Sequence, residues 1–240
     1  MFVNSGTERS LELIGARASD VYKAFTPGAL PEHSDVQTDA PHSRAVLDPL
    51  SVSAPNEDYF ITSDDRGRTT YTRDGAFRLV DGTLVAANGR AILGYSEDSN
   101  APAPLRLDAV DEALGRARNL RVESDGSVAY DRRIVEPRTG FAHMQRVSIG
   151  RLALARFPAA TKLAAAADGS VAAPSGVVPH VGRAADGNFG AISPMRRDES
   201  RVDLNRSLER LHDAYVAFDA LQAVHKAQAD TGKVAMDLLK

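Results

Sequence analysis

The carboxylates are the side chains of this sequence best suited to chemistry. Glu57 and Asp58, Asp64 and Asp65, and the group Asp108, Asp111 and Glu112 each place acidic groups close together. Such pairs could act as acid and base in a β-rich hydrolase if folding brought them into a cleft. Beside glycine turns and at helix starts, the same residues also serve as turn and cap residues, because a short carboxylate accepts hydrogen bonds from nearby backbone N–H groups. His143, His180, His212 and His225 are isolated from one another, and His33 and His42 lie in a proline-bearing stretch without ligand spacing. No GxSxG, Walker A, HExxH, EF-hand or GxGxxG pattern occurs. With no cysteine, thiolate metal sites and cysteine nucleophiles are excluded. The expectation is a protein with no catalytic, cofactor-binding or metal site.

The elements that would have to position such groups are organised around the C-terminal forty residues. Leu204, Leu208, Leu211, Tyr215, Phe218, Leu221 and Val224 follow one another in steps of three and four, and Ala227, Thr231, Val234 and Leu238 continue the stripe. No proline interrupts the run, which predicts a helix of about 60 Å at 1.5 Å per residue. Ser200, with Asp203 three residues on, is its predicted N-cap. At the other end of the chain, Leu11, Ile14, Ala18, Val21 and Phe25 repeat the spacing and predict a helix from about Thr7 to Ala24. It stops at Thr26-Pro27-Gly28, where proline restricts its predecessor and glycine permits the turn. The two stripes, Leu11, Ile14, Ala18 and Val21 with Leu204 to Val224, form a predicted assembly interface.

Residues 29–58 carry Pro31, Pro41, Pro49 and Pro55 among small and charged residues and read as an extended linker arm. From Tyr59 the pattern is β. Tyr59 to Thr62 and Thr69 to Thr72 flank a polar turn, and Asp74-Gly75, Asp81-Gly82 and Asn88-Gly89 follow as hairpin signals. A helical turn is predicted near Asp108 to Arg116, and a hairpin around Asp125-Gly126. Between Gln145 and Phe157 the apolar parity changes across Gly150, which predicts a bulge there. The fold class is thus a mainly β middle domain of short antiparallel strands, as a meander, barrel or sandwich, with terminal helices packing as a coiled coil. The domains are residues 1–28, 29–58, 59–197 and 198–240.

Composition narrows the partners. A formal charge of -3 lacks the concentrated positive field of a nucleic-acid surface, and no apolar stretch is long enough to insert in a membrane. No cationic segment followed by an apolar run opens the chain, so no cleaved signal peptide is expected.

The segment from Tyr59 to Tyr95 resembles the central signature of the bacterial flagellar rod and hook family. Tyr71, Thr72, Arg73, Gly75 and Phe77 look like its YTRxGxF motif, and Gly82, Leu84, Val85, Gly89 and Gly94 look like its GxLV...G...LG motif. Glu199 to Leu204 resembles the family's ESNVDL start of the C-terminal helix, with Arg201 in place of asparagine, and Thr26 to Ala29 resembles its TPGF. Asp20 and Lys23 stand where the family carries asparagines. The resemblance implies a non-enzymatic basal-body rod component exported by the flagellar export apparatus. Its implied partners are itself and other rod subunits, with no nucleic acid and no cofactor, in a rod that crosses the periplasm and transmits torque. The short middle region implies a rod rather than a hook protein, and the length a proximal rather than a distal one. Two rivals carry different expectations: the carboxylate hydrolase, and a self-contained adaptor or chaperone whose helices close on each other.

Overall fold

The computed structural model describes residues 4–29, 43–96, 99–159, 161–166, 168–200 and 202–237. In chain order the elements are α1 (Asn4–Lys23), β1 (Ser43–Ala45), β2 (Val52–Ser53), β3 (Tyr59–Ser63), β4 (Thr69–Thr72), β5 (Arg78–Val80), β6 (Thr83–Val85), β7 (Ala91–Tyr95) and β8 (Ala103–Pro104). There follow α2 (Ala109–Ala113), β9 (Ala117–Val122), β10 (Ser127–Val135), β11 (Ala142–Arg156), β12 (Ala164–Ala165), β13 (Val171–Ala172), β14 (His180–Arg183), β15 (Ser193–Pro194), β16 (Arg196–Asp198) and α3 (Leu204–Asp237).

Most strands join one antiparallel sheet in the order β12-β13-β4-β3-β11-β7-β6-β5, with β10 and β14 also pairing to β11, β9 to β10 and β8 to β7. The 15-residue β11 is the hub, since it pairs with β3, β7, β10 and β14 along its length. It can do so because its parity changes in mid-strand. Val128 pairs with Gly150 and Ala129 with Ser148, so Ile149 is an extra residue and a bulge lies where the parity change predicts one.

Alternation along the strands sorts side chains into two cores on opposite faces. Phe60, Ile92, Leu152 and Leu154 join Val52, Phe77, Leu84, Val128 and Phe189 in one. Tyr59, Ile61, Leu93, Ala153 and Ala155 join Tyr71, Tyr95 and Val171 in the other. A sheet with both faces covered excludes water from its ladder, and this buried apolar surface is the main stabilising term.

The turn signals behave unequally. Asp81 and Gly82, with φ of 46° and 68°, form the two-residue β5–β6 turn, and Gly126 with φ of 80° closes the β9–β10 hairpin. Asp74-Gly75 makes no hairpin. The Gly75 carbonyl accepts from Val52 N, and a Cβ on Gly75 would lie 1.8 Å from the Val52 carbonyl oxygen. Glycine stands there because another backbone passes against it.

The stretch predicted as an extended arm is, from Ser43 onward, part of the folded body. β1 pairs with β16, β2 pairs with β15, and Val52 is fully buried. Two-residue strands carry too little local signal to be read, and their partners lie some 140 residues away in sequence. His33 and His42, in the rest of that arm, lie outside the described residues, as do Arg201 and Leu238.

Candidate assembly surface and the junction that orients it

The centre of the junction between the β domain and the helices is Arg73, which is 1% exposed. It sits two residues past Tyr71 at the end of β4, so strand alternation turns it towards the base of the helices rather than to solvent. All five of its N–H groups find acceptors. Nε donates to Asp198 Oδ2 at 2.8 Å, and Nη2 approaches the same oxygen at 2.6 Å. Nη1 donates to the carbonyls of Asn56 and Asp58, and Nη2 to that of Ala54. The Tyr59 ring lies 5.9 Å away. Asp198 also accepts from Ser53 Oγ, so its charge is neutralised and its lone pairs are used. A buried ion pair of this kind gives geometric definition, because each lost partner leaves a stranded charge.

The start and end of the helical pair meet at this point. Gly28, with φ of 67°, follows α1 and packs so closely on Arg73 that a Cβ would lie 2.6 Å from the arginine Cβ. Its N–H donates to the carbonyl of Glu199, and Ser200 Oγ donates to that of Lys23. Arg197, beside Asp198 on β16, bonds Asp74 through Nε and Nη2 at 3.2 and 3.3 Å. The chain leaving α1 and the chain entering α3 are thereby fastened to each other and to β4.

Asp20 and Lys23, where the resemblance would place asparagines, are both buried on α1, and Asp20 lies 3.9 Å from Arg17. Ser200 is not the N-cap of α3. Asp203 takes that role, its Oδ1 accepting from Arg206 N, while Ser200 Oγ accepts from Val202 N in the preceding turn. An oxygen one residue before the helix reaches the free N–H groups, whereas Ser200 is four residues short.

Above the junction α1 and α3 lie side by side and antiparallel. Lys23 is beside Ser200, and a Cβ on Gly6 would lie 3.8 Å from Leu221 Cδ2. The predicted stripes divide between inward and outward positions. Ile14 is buried and Val21 half-buried on α1, and Leu204, Leu211, Phe218 and Leu221 are half-buried on α3, together with buried Ser207 and Ala214. Leu204, Ser207, Leu211, Ala214, Phe218, Leu221 and His225 recur by threes and fours, which is the true inner face of α3. Leu11 and Ala18 on α1, and Leu208, Tyr215 and Val224 on α3, face outward, and so do Tyr22 and Phe25, at 71% and 72% exposure. α3 has 34 residues against 20 in α1, so with Leu221 beside Gly6, near the start of α1, about 24 Å of α3 continue past the level of Gly6.

The other signature residues serve the β core. Tyr71 packs edge-on to Phe157 at 4.9 Å, Phe77 edge-on to Phe60 at 5.0 Å, and Leu84 and Val85 are buried in β6. Thr72 Oγ1 accepts from Asp74 N. Gly89 turns between β6 and β7 with φ of 82°, and a Cβ on Gly94 would lie 2.6 Å from the Arg151 carbonyl.

The structure disperses the candidate carboxylates. Asp64 accepts from Arg66 N, Arg68 N and Arg68 Nε, and the backbone bond from Arg68 foremost holds its carboxyl below the ordinary range. Asp58 pairs bidentately with Arg156 at 2.6 and 2.8 Å. Asp108 caps α2. Asp111 accepts from the Tyr130 hydroxyl and from Arg132 Nε, and those bonds, that of Tyr130 first, hold it low. Each is committed to a turn, a cap or an ion pair, and no two converge on a cleft. Among the described residues no group of His, Asp or Glu could hold a metal ion, and no helix is long and apolar enough to cross a membrane.

Residues 56–130 match the family model described as the flagellar hook protein FlgE/F/G D1 domain. The matched span runs from the Arg73 junction into the first residues of β10 and contains the whole signature. Over that span, less than half of the chain, the sequence is similar to this domain of flagellar hook and rod proteins. A search of curated proteins finds no significant match.

Proposed function

We propose that this chain is a subunit of the flagellar basal-body rod, proximal rather than distal, which polymerises through its terminal helices and carries torque across the periplasm. The family match supports a flagellar structural component, and the short middle region favours rod over hook. The observation that carries the assembly mechanism is the apolar surface left exposed after the two helices have packed together: Leu11 and Tyr22 on one side of α1, Phe25 in the turn that follows it, and Leu208 and Tyr215 on one side of α3. Each large apolar side chain buried at a contact between copies stabilises by about 1.5 to 3 kcal/mol. Several together offset the ordering cost of association only when neighbouring copies supply the opposite wall. Coiled-coil packing between subunits, other rod proteins as neighbours and delivery through the flagellar export apparatus belong to the same proposal.

A junction with a saturated buried arginine suits this role, because torque passes through it from helices to outer domain. Sedimentation and electron microscopy of the full chain test the proposal. Wild type should associate with rising concentration and form helix-cored filaments or incorporate into rods, and Phe25→Asp with Tyr215→Asp should do neither while keeping the β-domain spectrum. Normal incorporation of that double variant would overturn it. One observation favours a second reading, a self-contained adaptor or chaperone: α1 and α3 already pack on each other within one chain. A monodisperse monomer at high concentration would support that reading.

A further inference from the structure

We propose that the cleft beside the β11 bulge is a binding site for an oxyanion, a carboxylate or phosphate group carried by a small organic molecule or by an acidic side chain. Strand register builds the site. Arg151 stands opposite Tyr95 on β7 and opposite Ser127 on β10, so the three share one face, and Arg183 joins them opposite Ala153 two positions along. With Ser96, Ser148 and Gly150 they line a cavity of about 310 Å³. Bulges commonly re-aim side chains beside functional sites. Here the bulge places Gly150, φ 141°, where any Cβ would lie 2.7 Å from the Tyr95 carbonyl oxygen, so bare backbone forms the floor.

The two guanidinium groups are held but not used up. Arg183 Nη2 donates to the Ser99 carbonyl and to Asn100 Oδ1, both at 3.1 Å, and its plane lies 4.4 Å from the Tyr95 ring centroid. Its Nε and Nη1 have no acceptor among the described residues. Arg151 has one loose contact, 3.4 Å to Asp125 Oδ2, and the other oxygen of that carboxylate is taken by Ser127 N and Oγ. Ser148 Oγ accepts from Gly150 N, which leaves its proton free to donate. Two guanidinium forks and donor hydroxyls make a donor-rich cleft, with Asp125 at Arg151 and Asp186 on the Arg183 backbone N as its neighbouring carboxylates, and a guanidinium fork matches the paired oxygens of a carboxylate or phosphate. The cavity exceeds a bare phosphate and matches the lower end of small-molecule sites, roughly 300 Å³.

The test follows the Gly150 and Ser148 amides and the Arg151 and Arg183 Nε resonances of the full chain during titration with inorganic phosphate and, separately, acetate. Saturating shifts confined to these residues are expected, with affinity at least tenfold weaker in Arg183→Gln and in Arg151→Gln and unchanged in Arg116→Gln. Shifts that never saturate, or equal affinity in the two pocket variants, would overturn the site. Arg151→Gln keeps the test available if Arg183→Gln perturbs folding, since Arg151 spends a single loose contact. Sedimentation in phosphate against chloride at equal ionic strength then separates the sources. Weakened self-association assigns the natural oxyanion to an acidic side chain of another copy, and unchanged association assigns it to a free small molecule. Either result keeps the site, and its failure leaves the helix-driven assembly untouched.

Discussion

Arg73 and Asp198 are 125 residues apart in sequence and meet at 2.6 Å with neither side chain reaching solvent. Because β4 supplies the arginine and β16 the aspartate, the pair fixes the β domain to the segment that leads into α3. Removing one partner leaves the other charged and buried. Arg73→Met should therefore destabilise the chain by about 3 to 5 kcal/mol in chemical denaturation. Arg73→Lys should recover little, since three donors on a point charge cannot reach Asp198 and three carbonyls together. Adding Asp198→Asn to Arg73→Met should restore part of the loss. A double variant no better than the single would show that the carbonyl contacts, not the charge, dominate.

Gly28 makes a second, backbone-level claim on the same junction. Gly28 and Gly67 both have positive φ, but a Cβ on Gly67 meets nothing within 4 Å, whereas one on Gly28 meets Arg73 at 2.6 Å. Gly67→Ala should cost only the left-handed backbone penalty, about 1 to 2 kcal/mol. Gly28→Ala should cost clearly more, because α1 must shift to relieve the contact. Equal losses in thermal unfolding would mean that the junction yields, and that Gly28 is a turn residue only.

The strands and both long helices were legible because periodicity and turn residues act locally: the β3–β4 and β9–β10 hairpins and the Gly150 bulge stand where alternation and glycine put them. What was not legible depended on distant partners. Arg73 looks like a surface charge until Asp198 folds over it, and Asp74-Gly75 has the composition of a hairpin until Val52 passes behind it. Large apolar residues on α3 read as one stripe, but the inner face runs through Ser207 and Ala214, which are small enough to let α1 approach and too small to signal a seam. The cleft beside the β11 bulge was invisible, because four strands and the residue after β7 line it; the parity change at Gly150 was its only trace.

Acid should loosen the region around β9 and β10. Asp111 is held below the ordinary carboxylate range by the bond from Tyr130 and then by Arg132, Asp131 by Asn119 and then Arg121, and Asp125 by Ser127. A carboxyl depressed in the folded state binds its proton more readily when unfolded. Its contribution is complete above the ordinary range and is lost as pH falls below about 4 towards the folded value. Tyr130→Phe removes the leading cause for Asp111, so the fall in stability with acid should become shallower and the Asp111 carboxyl resonance should titrate higher. Titration of wild-type Asp111 at the ordinary value would remove the basis for this.

The two faces of the helical pair should respond differently to the same charge. Phe218 and Ile14 lie on the face shared by α1 and α3, so Phe218→Asp should separate the helices. That change forfeits about 1.5 to 3 kcal/mol of burial and adds the cost of a poorly solvated carboxylate. Helical circular dichroism should fall in the monomer itself, and assembly should be lost as a consequence. Tyr215 and Phe25 are more than half exposed, so a carboxylate there stays in water and monomer stability should move by no more than about 0.5 kcal/mol. Assembly should nevertheless fail, because in a polymer those positions would be dry and each unpaired charge would have to be desolvated. Intact monomer helicity together with lost association therefore separates an outer surface waiting for neighbours from an inner one already satisfied. If Phe25→Asp and Phe218→Asp behave alike in both measurements, the division into inner and outer faces is wrong.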